Sequence, residues 1–462
     1  MAVGIRAKEA LAVVRFRPFD TTTEHGRSKE RARRIALAAL ASGAARLLSI
    51  GTALFTIPLT LNYLGAERYG LWMTISSFVA LVTFADLGIG NGLLSVLSEC
   101  DGKGDRESAR KYVASALALL AGISALLIAA FVVVYPLVPW PRLFNVTNPQ
   151  AAVECGPAIG VAVICSLLAI PLGMGQKIQN AYQDGFGASL WAFGGSALAL
   201  AGVLIAIYYN AGLVILALAF SGAPLAVHAL NSIIVFRRKY PWLIPRTRDL
   251  AGEFGSRVAR IGAVFLVLHI CFTVAMASDN VVAAHVLGHE DVARYSVVHR
   301  LFSIILTFAA IAAQPFWPAY SEAAARGDVE WTRRALRRSI VICLIVTVPV
   351  ATALAIACGD IVRLWTGMVN SAPWELTSGM ALWAVLSSLG ALLAMFLNGL
   401  RIVRLQVVCA IAFVIGAVVG KVALTQWIGL PGIAWGNVLS YTAFVAVPYM
   451  IVLPRRLATS NA

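Results

Sequence analysis

Between about residues 35 and 453 the chain is a succession of apolar runs of twenty or more residues, separated by short polar connections. A helix of about 20 apolar residues spans the hydrocarbon of a bilayer, and a soluble core has no use for runs of that length. Only 13% of residues are charged and 60% are hydrophobic, with a mean hydropathy of +0.81. Soluble chains keep about a quarter of their residues charged. These figures predict an all-α polytopic membrane protein.

Twelve spans are read from the apolar pattern: 35–63, 70–97, 112–138, 153–173, 187–209, 213–236, 258–286, 293–320, 338–358, 376–398, 403–427 and 430–453. They divide into two pseudo-symmetric six-helix bundles, 35–236 and 258–453, joined by a cytoplasmic linker, 237–257. A basic tail, 1–34, precedes them and a short tail, 454–462, follows. The first 34 residues are polar and basic with no h-region, so no cleavable signal peptide is expected. Six spans per half is an even number, so both halves insert in the same orientation.

Charge fixes the expected topology. With the N-terminus placed inside, the inner segments hold 29 Lys and Arg and the outer segments four. That asymmetry predicts cytoplasmic termini and explains most of the formal charge of +15 without nucleic acid as a partner. Trp140, Tyr208, Tyr209, Trp365, Trp374 and Trp427 fall near outer span ends, as an aromatic belt does. The seven cysteines are scattered through apolar runs, with no CxxC, and read as small packing residues. Asn145-Val-Thr147 matches the glycosylation sequon, a triplet that chance supplies in a long chain.

The stretch Leu64–Lys111 has a faint echo 223 positions later. Leu64-Gly65 returns as Leu287-Gly288, Ser98-Glu99 as Ser321-Glu322, Gly104-Asp105 as Gly327-Asp328, and Arg110 as Arg333. The identities point to a duplicated half. Each copy is expected to hold an outer turn, a span, and a basic amphipathic helix at the inner surface.

No enzyme motif is present: no HExxH, no GxxxxGK[ST], and no Ser/His/Asp grouping outside the membrane. Gly88-Ile-Gly90-Asn-Gly92 lies in an apolar run and follows no strand, which favours close helix packing over phosphate cradling. The outer loops are too short to fold as domains.

Ionisable residues inside the spans are the functional candidates, since each costs about 2.5–3.5 kcal/mol at mid-bilayer. Arg46 lies eleven residues into the first span, about 16 Å deep at 1.5 Å per residue. Ser42, Ser49 and Ala53 share its face, which suits the wall of a wet cavity; the alternative is neutralisation by Asp86. His269 holds the same register in the second half, with Thr273, Met276 and Asn280 on its face. Arg300 stands above Ser303, Thr307 and Gln314. Arg46, His269 and Arg300 are the substrate-binding candidates, and Lys421 reads as a residue snorkelling to the outer headgroups. Asp86, in the inner third of span two, and Asp279, in the outer third of span seven, are candidates for H⁺ or Na⁺ coupling. Pro58, Pro224, Pro315, Pro349 and Pro448 mark bends within spans.

Tyr63-Leu-Gly65-(x)3-Tyr69-Gly70-Leu71-Trp72, then Phe84-Ala-Asp86-Leu-Gly88, resembles bacterial polysaccharide-biosynthesis membrane proteins. So does Asp279-Asn-Val-Val-(x)4-Leu287-Gly288 followed by Tyr295. These are the Wzx-type flippases of the multidrug/oligosaccharidyl-lipid/polysaccharide exporter superfamily. The resemblance implies a V-shaped pair of bundles and alternating access. It implies as cargo an undecaprenyl-diphosphate-linked oligosaccharide turned from the cytoplasmic to the periplasmic leaflet of the inner membrane. Membrane lipids and other polysaccharide-assembly proteins are the implied partners, with no cofactor. A diphosphate is best held by Arg forks, which fits Arg46 and Arg300, with His269 beside them. Three other readings stand beside this one: a cation-coupled multidrug exporter, a peptidoglycan lipid-precursor flippase, and a membrane-embedded glycosyltransferase, polymerase or ligase. The last of these needs large outer loops, which the chain lacks.

Overall fold

A computed structural model describes residues 19–20, 23–144, 146, 148–366 and 372–452; among them the chain is helical, with turns and no strand. Helices satisfy every backbone group within the segment, as hydrocarbon requires. In chain order they are α1 (Glu24–Val82), α2 (Ile89–Lys103), α3 (Arg106–Val134), a one-turn α4 (Trp140–Leu143), α5 (Pro149–Leu172), α6 (Met174–Ala181), α7 (Gly185–Tyr208) and α8 (Leu213–Ile234). There follow α9 (Gly252–Val286), α10 (His289–Ala313), α11 (Phe316–Ala325), α12 (Val329–Thr366), α13 (Trp374–Gly399), α14 (Val403–Ile428) and α15 (Pro431–Tyr441).

Ten stretches among the described residues are long and apolar enough to cross a membrane, and they match the third to twelfth predicted spans. The first two predicted spans fall on α1 and α2. Helical geometry carries through 64–69, where the sequence predicts a turn. The chain nonetheless doubles back there. Its first arm follows α7, with Ser42 and Ser189 sharing a 2.7 Å hydrogen bond and the Tyr63 hydroxyl donating to the Ala211 carbonyl at 2.5 Å. Its second arm returns along α5, from the Arg68–Glu154 ion pair at 2.6 Å to the neighbourhood of Lys177. The reversal is made by residues that keep their helical hydrogen bonding.

Two compact units emerge from the contacts, residues 1–265 and 266–462. In the first, Leu64, Leu71 and Ile75 of α1 meet Cys155, Ile159 and Val163 of α5 and Leu213 and Leu216 of α8. The stretch 237–257 packs into the same unit. Arg110 pairs with Asp249 at 2.9 Å, Tyr240 stacks on Tyr182 at 4.8 Å, and Leu243 is fully buried. In the second unit, Tyr295 and Phe302 of α10, Ala351 and Cys358 of α12, Met380 of α13 and Ile433 of α15 form the core.

The duplicated inner corners are the same structure built twice. Gly104 (φ 70°) and Gly327 (φ 73°) end a helix in the left-handed region, which glycine enters without the Cβ clash other residues suffer. The next residue then caps the following helix: Asp105 Oδ1 accepts from Ser108 N at 3.0 Å, and Asp328 Oδ1 from Trp331 N at 3.2 Å. One turn earlier, Glu99 pairs with Lys103 and Glu322 with Arg326, both at 2.6 Å.

Of the belt aromatics, Tyr208, Tyr209, Trp374 and Trp427 are exposed. Trp140 is not: it is buried beside Phe131 and Tyr135, with its Nε1 donating to the Tyr135 carbonyl at 2.9 Å. Asn145 and Thr147 of the sequon, the first 18 residues and the C-terminal tail lie outside the described residues. All seven cysteines are unpaired, and all but Cys343 are buried.

Candidate functional site

The most enclosed ion pair among the described residues follows from a seam of small residues. Gly432 and Gly436 of α15 are one turn apart and face α14. A Cβ at Gly432 would stand 2.4 Å from the Leu424 and Thr425 backbone, and one at Gly436 would stand 2.8 Å from Lys421 Cα. The two helices therefore touch backbone to backbone, as small residues allow in membranes. That contact seals Lys421, whose exposure is 0%. Its Nζ donates to the Ala275 carbonyl at 2.6 Å, Ser278 Oγ at 3.1 Å and Asp279 Oδ1 at 2.5 Å. Asp279, 2% exposed, also accepts from Asn437 Nδ2 at 3.2 Å and from the Tyr295 hydroxyl at 2.6 Å. His299 stacks on the Tyr295 ring at 5.6 Å. Four helices, α9, α10, α14 and α15, thus meet on one ion pair.

Lys421 does not snorkel. Sequence position gives its height along the span but not the face it occupies, and the α15 seam turns that face inward. Three ammonium hydrogens meet three oxygens, which offsets the desolvation a lone buried charge would suffer.

In the N-terminal unit Asp86 closes a short 3₁₀ turn, Thr83–Asp86, that interrupts the predicted second span. Leu87 (φ 47°) and Gly88 (φ 73°) are both left-handed, and Asp86 Oδ1 accepts from Gly88 N at 2.8 Å. Lys177 Nζ donates to Asn91 Oδ1 at 3.1 Å. A Cβ on Gly90 would lie 2.9 Å from Lys177 Cε and 3.1 Å from Asp86 Oδ2, so acid, amide and lysine converge over that bare backbone and stop short of an ion pair. The neighbouring Gly92 serves close packing: its Cβ would meet the Val258 carbonyl at 2.7 Å and Gly262 N at 3.0 Å.

The three cationic candidates lie outside both clusters. Arg46, on the first arm of α1, is exposed and forms no ion pair among the described residues. Asp86, the neutraliser of the alternative reading, is instead engaged with Gly88. His269 on α9 and Arg300 on α10 are also exposed, and the Arg300 carbonyl accepts from Ser303 Oγ at 2.8 Å. Among the described residues no group of three His, Cys, Asp or Glu is arranged to hold a metal.

Sequence reasoning missed a cleft of about 690 Å³ in the N-terminal unit, lined by Arg33 and Arg34 of α1, Asp101 and Arg106 at the first corner, and Tyr182, Lys239 and Trp242. Its charges are mutually engaged. The Arg106 guanidinium lies 4.6 Å from the Trp242 ring, and Lys239 pairs with Asp184. At its edge Glu30 feels burial, which raises its pKa, but hydrogen bonds from Arg33, the Phe19 amide and Arg34 outweigh this and bring it down to about 2. Burial pushes the Tyr182 and Tyr240 phenols up. The signal for this cleft was tertiary: its walls come from four separated segments.

The ten apolar helices among the described residues make this a multi-pass membrane protein, and solved transporters share the fold. A multidrug resistance MATE family transporter of the MOP superfamily, in an outward-facing conformation, is 17% identical, with 94% of this chain and 97% of that one covered and a TM-score of 0.76. A MOP superfamily transporter from Pyrococcus furiosus Vc1, described as having a binding pocket of reverse polarity, is 17% identical over 93% and 96% of the chains, with a TM-score of 0.77. The family model for polysaccharide biosynthesis proteins matches residues 37–324, and the MatE model matches 265–422. The chain belongs to the polysaccharide biosynthesis protein family, the Wzx-type flippases of the MOP superfamily. A Salmonella typhi protein named "Putative O-antigen transporter" is 25% identical over 447 residues, 91% of this chain and 96% of that one.

Proposed function

We propose that this transporter moves an undecaprenyl-diphosphate-linked oligosaccharide from the cytoplasmic to the periplasmic leaflet of a bacterial inner membrane, with both termini in the cytoplasm. The observation that carries this reading is the likeness to the Salmonella typhi transporter along nearly its whole length. The MATE neighbours, at 17–18% identity, speak only for the fold. The exposed guanidinium groups of Arg46 and Arg300, with His269 as a further polar candidate, favour an anionic cargo, with the diphosphate as the group they would hold. Asp86 and Asp279 are the candidate carboxylates for H⁺ or Na⁺ coupling.

The second reading, a multidrug exporter, draws on the MatE match over 265–422. Such an exporter for cationic drugs calls for free acidic walls, and Asp279 is already paired with a lysine. Deleting the protein separates the two. Under the proposal, lipid-linked glycan accumulates on the inner leaflet and surface polysaccharide is lost. Intact surface glycan accompanied by drug hypersensitivity would sink it.

A further inference from the structure

We infer that Lys421 is a tethered cation: its ammonium permanently fills the oxygen cage in which an ion-coupled transporter would hold a free one. The cage is built of three kinds of oxygen, the Ala275 carbonyl, Ser278 Oγ and Asp279 Oδ1, all within 3.1 Å of Nζ. Such a set, main-chain, hydroxyl and carboxylate, suits a hard monovalent cation as well as it suits an ammonium. The difference is that this cation cannot leave. Lys421 is anchored where Gly436 packs against its backbone, and both it and Asn437 are 0% exposed.

The carboxylate side of the pair carries the same message. Tyr295 and Asn437 both donate to Asp279, as does the ammonium. The cage is therefore closed to Na⁺ by the lysine. Its work is to tie α9, α10, α14 and α15 together. Of the two carboxylates considered for coupling, Asp279 is then a strut, and Asp86, half-buried with Lys177 close by but short of an ion pair, is the one left.

The inference is independent of the cargo, since it is tested on purified protein. The wild-type protein in detergent is expected to melt at the same temperature in sodium chloride and in choline chloride. Lys421→Ala opens the cage, and its lowered melting temperature is expected to recover by several degrees when sodium chloride or propylammonium replaces choline. Asp279→Asn with Lys421→Met, which neutralises the pair at similar volume, is expected to melt without regard to cation. A sodium-dependent rise in the wild type that disappears in Asp279→Asn would overturn the inference. So would a folded double variant whose melting temperature still depends on the cation. If Lys421→Ala alone cannot be purified, the double variant decides the matter.

Discussion

A lysine carries its charge at the tip of a long stem, so the meaning of Lys421 depends on which helix face it occupies. That face is set by Gly432 and Gly436 on a neighbouring helix, which is why the apolar pattern around Lys421 places it in a span but leaves its partner illegible. Asp279 was legible as an intramembrane acid for the complementary reason: a charge in hydrocarbon stands out in any register. Removing one member of such a pair leaves the other uncompensated, so Asp279→Ala is expected to destabilise the protein by about 3–5 kcal/mol, read as a lower melting temperature and yield. Arg46 makes the opposite case. It is exposed and carries no ion pair among the described residues, so Arg46→Ala is expected to leave protein level unchanged and abolish surface glycan. Full surface glycan at normal protein level would remove Arg46 from the site. Outside the membrane, hydrogen bonds from Arg33, the Phe19 amide and Arg34 hold the pKa of Glu30 at about 2, below the ordinary carboxylate value of 4.5. Its contribution is thus present above pH 4.5 and lost as pH falls through 2. Glu30→Gln is expected to speed amide exchange at the start of α1 at neutral pH, with the gap from wild type closing across that window.

At the scale of elements, the repeat identities mark backbone geometry. Gly104 and Gly327 are left-handed, and the aspartates after them cap the next helix. Gly104→Ala and Gly327→Ala are each expected to cost about 1–2 kcal/mol, since a Cβ is disfavoured in that region, and Asp105→Ala about 1 kcal/mol for the lost cap. Thermal melting in detergent measures all three. These corners were legible because only a few residue types satisfy them. The reversal after Tyr63 was read as a turn and is helical, since medium-range packing on α5 and α7 makes the bend. The break at Leu87-Gly88 was hidden inside an apolar run because a leucine with φ 47° has no sequence signature. Close packing of Gly88-Ile-Gly90-Asn-Gly92 was legible; its partner, the Val258–Gly262 face of α9, was not.

For the whole molecule, twelve apolar runs and their charge asymmetry were enough to give the class of fold, whereas the assignment of contacts to units was not. The first three to four turns of α9 belong to the N-terminal unit, through the Gly92–Gly262 approach and the 2.8 Å bond from Arg257 to the Tyr112 hydroxyl. A chain cut at an engineered protease site at 245–247 is therefore expected to stay associated, with both fragments co-purifying; clean separation would refute that packing. The Asp279–Lys421 bond also has a history in time. Its partners are 142 positions apart in the sequence. At a synthesis rate of about 5–20 residues per second, the acid emerges roughly 7–28 seconds before the lysine that neutralises it. For that interval α9 carries an uncompensated charge costing about 2.5–3.5 kcal/mol in hydrocarbon. The nascent C-terminal unit must therefore shelter this helix, at the interface or within the insertion machinery, until α14 arrives.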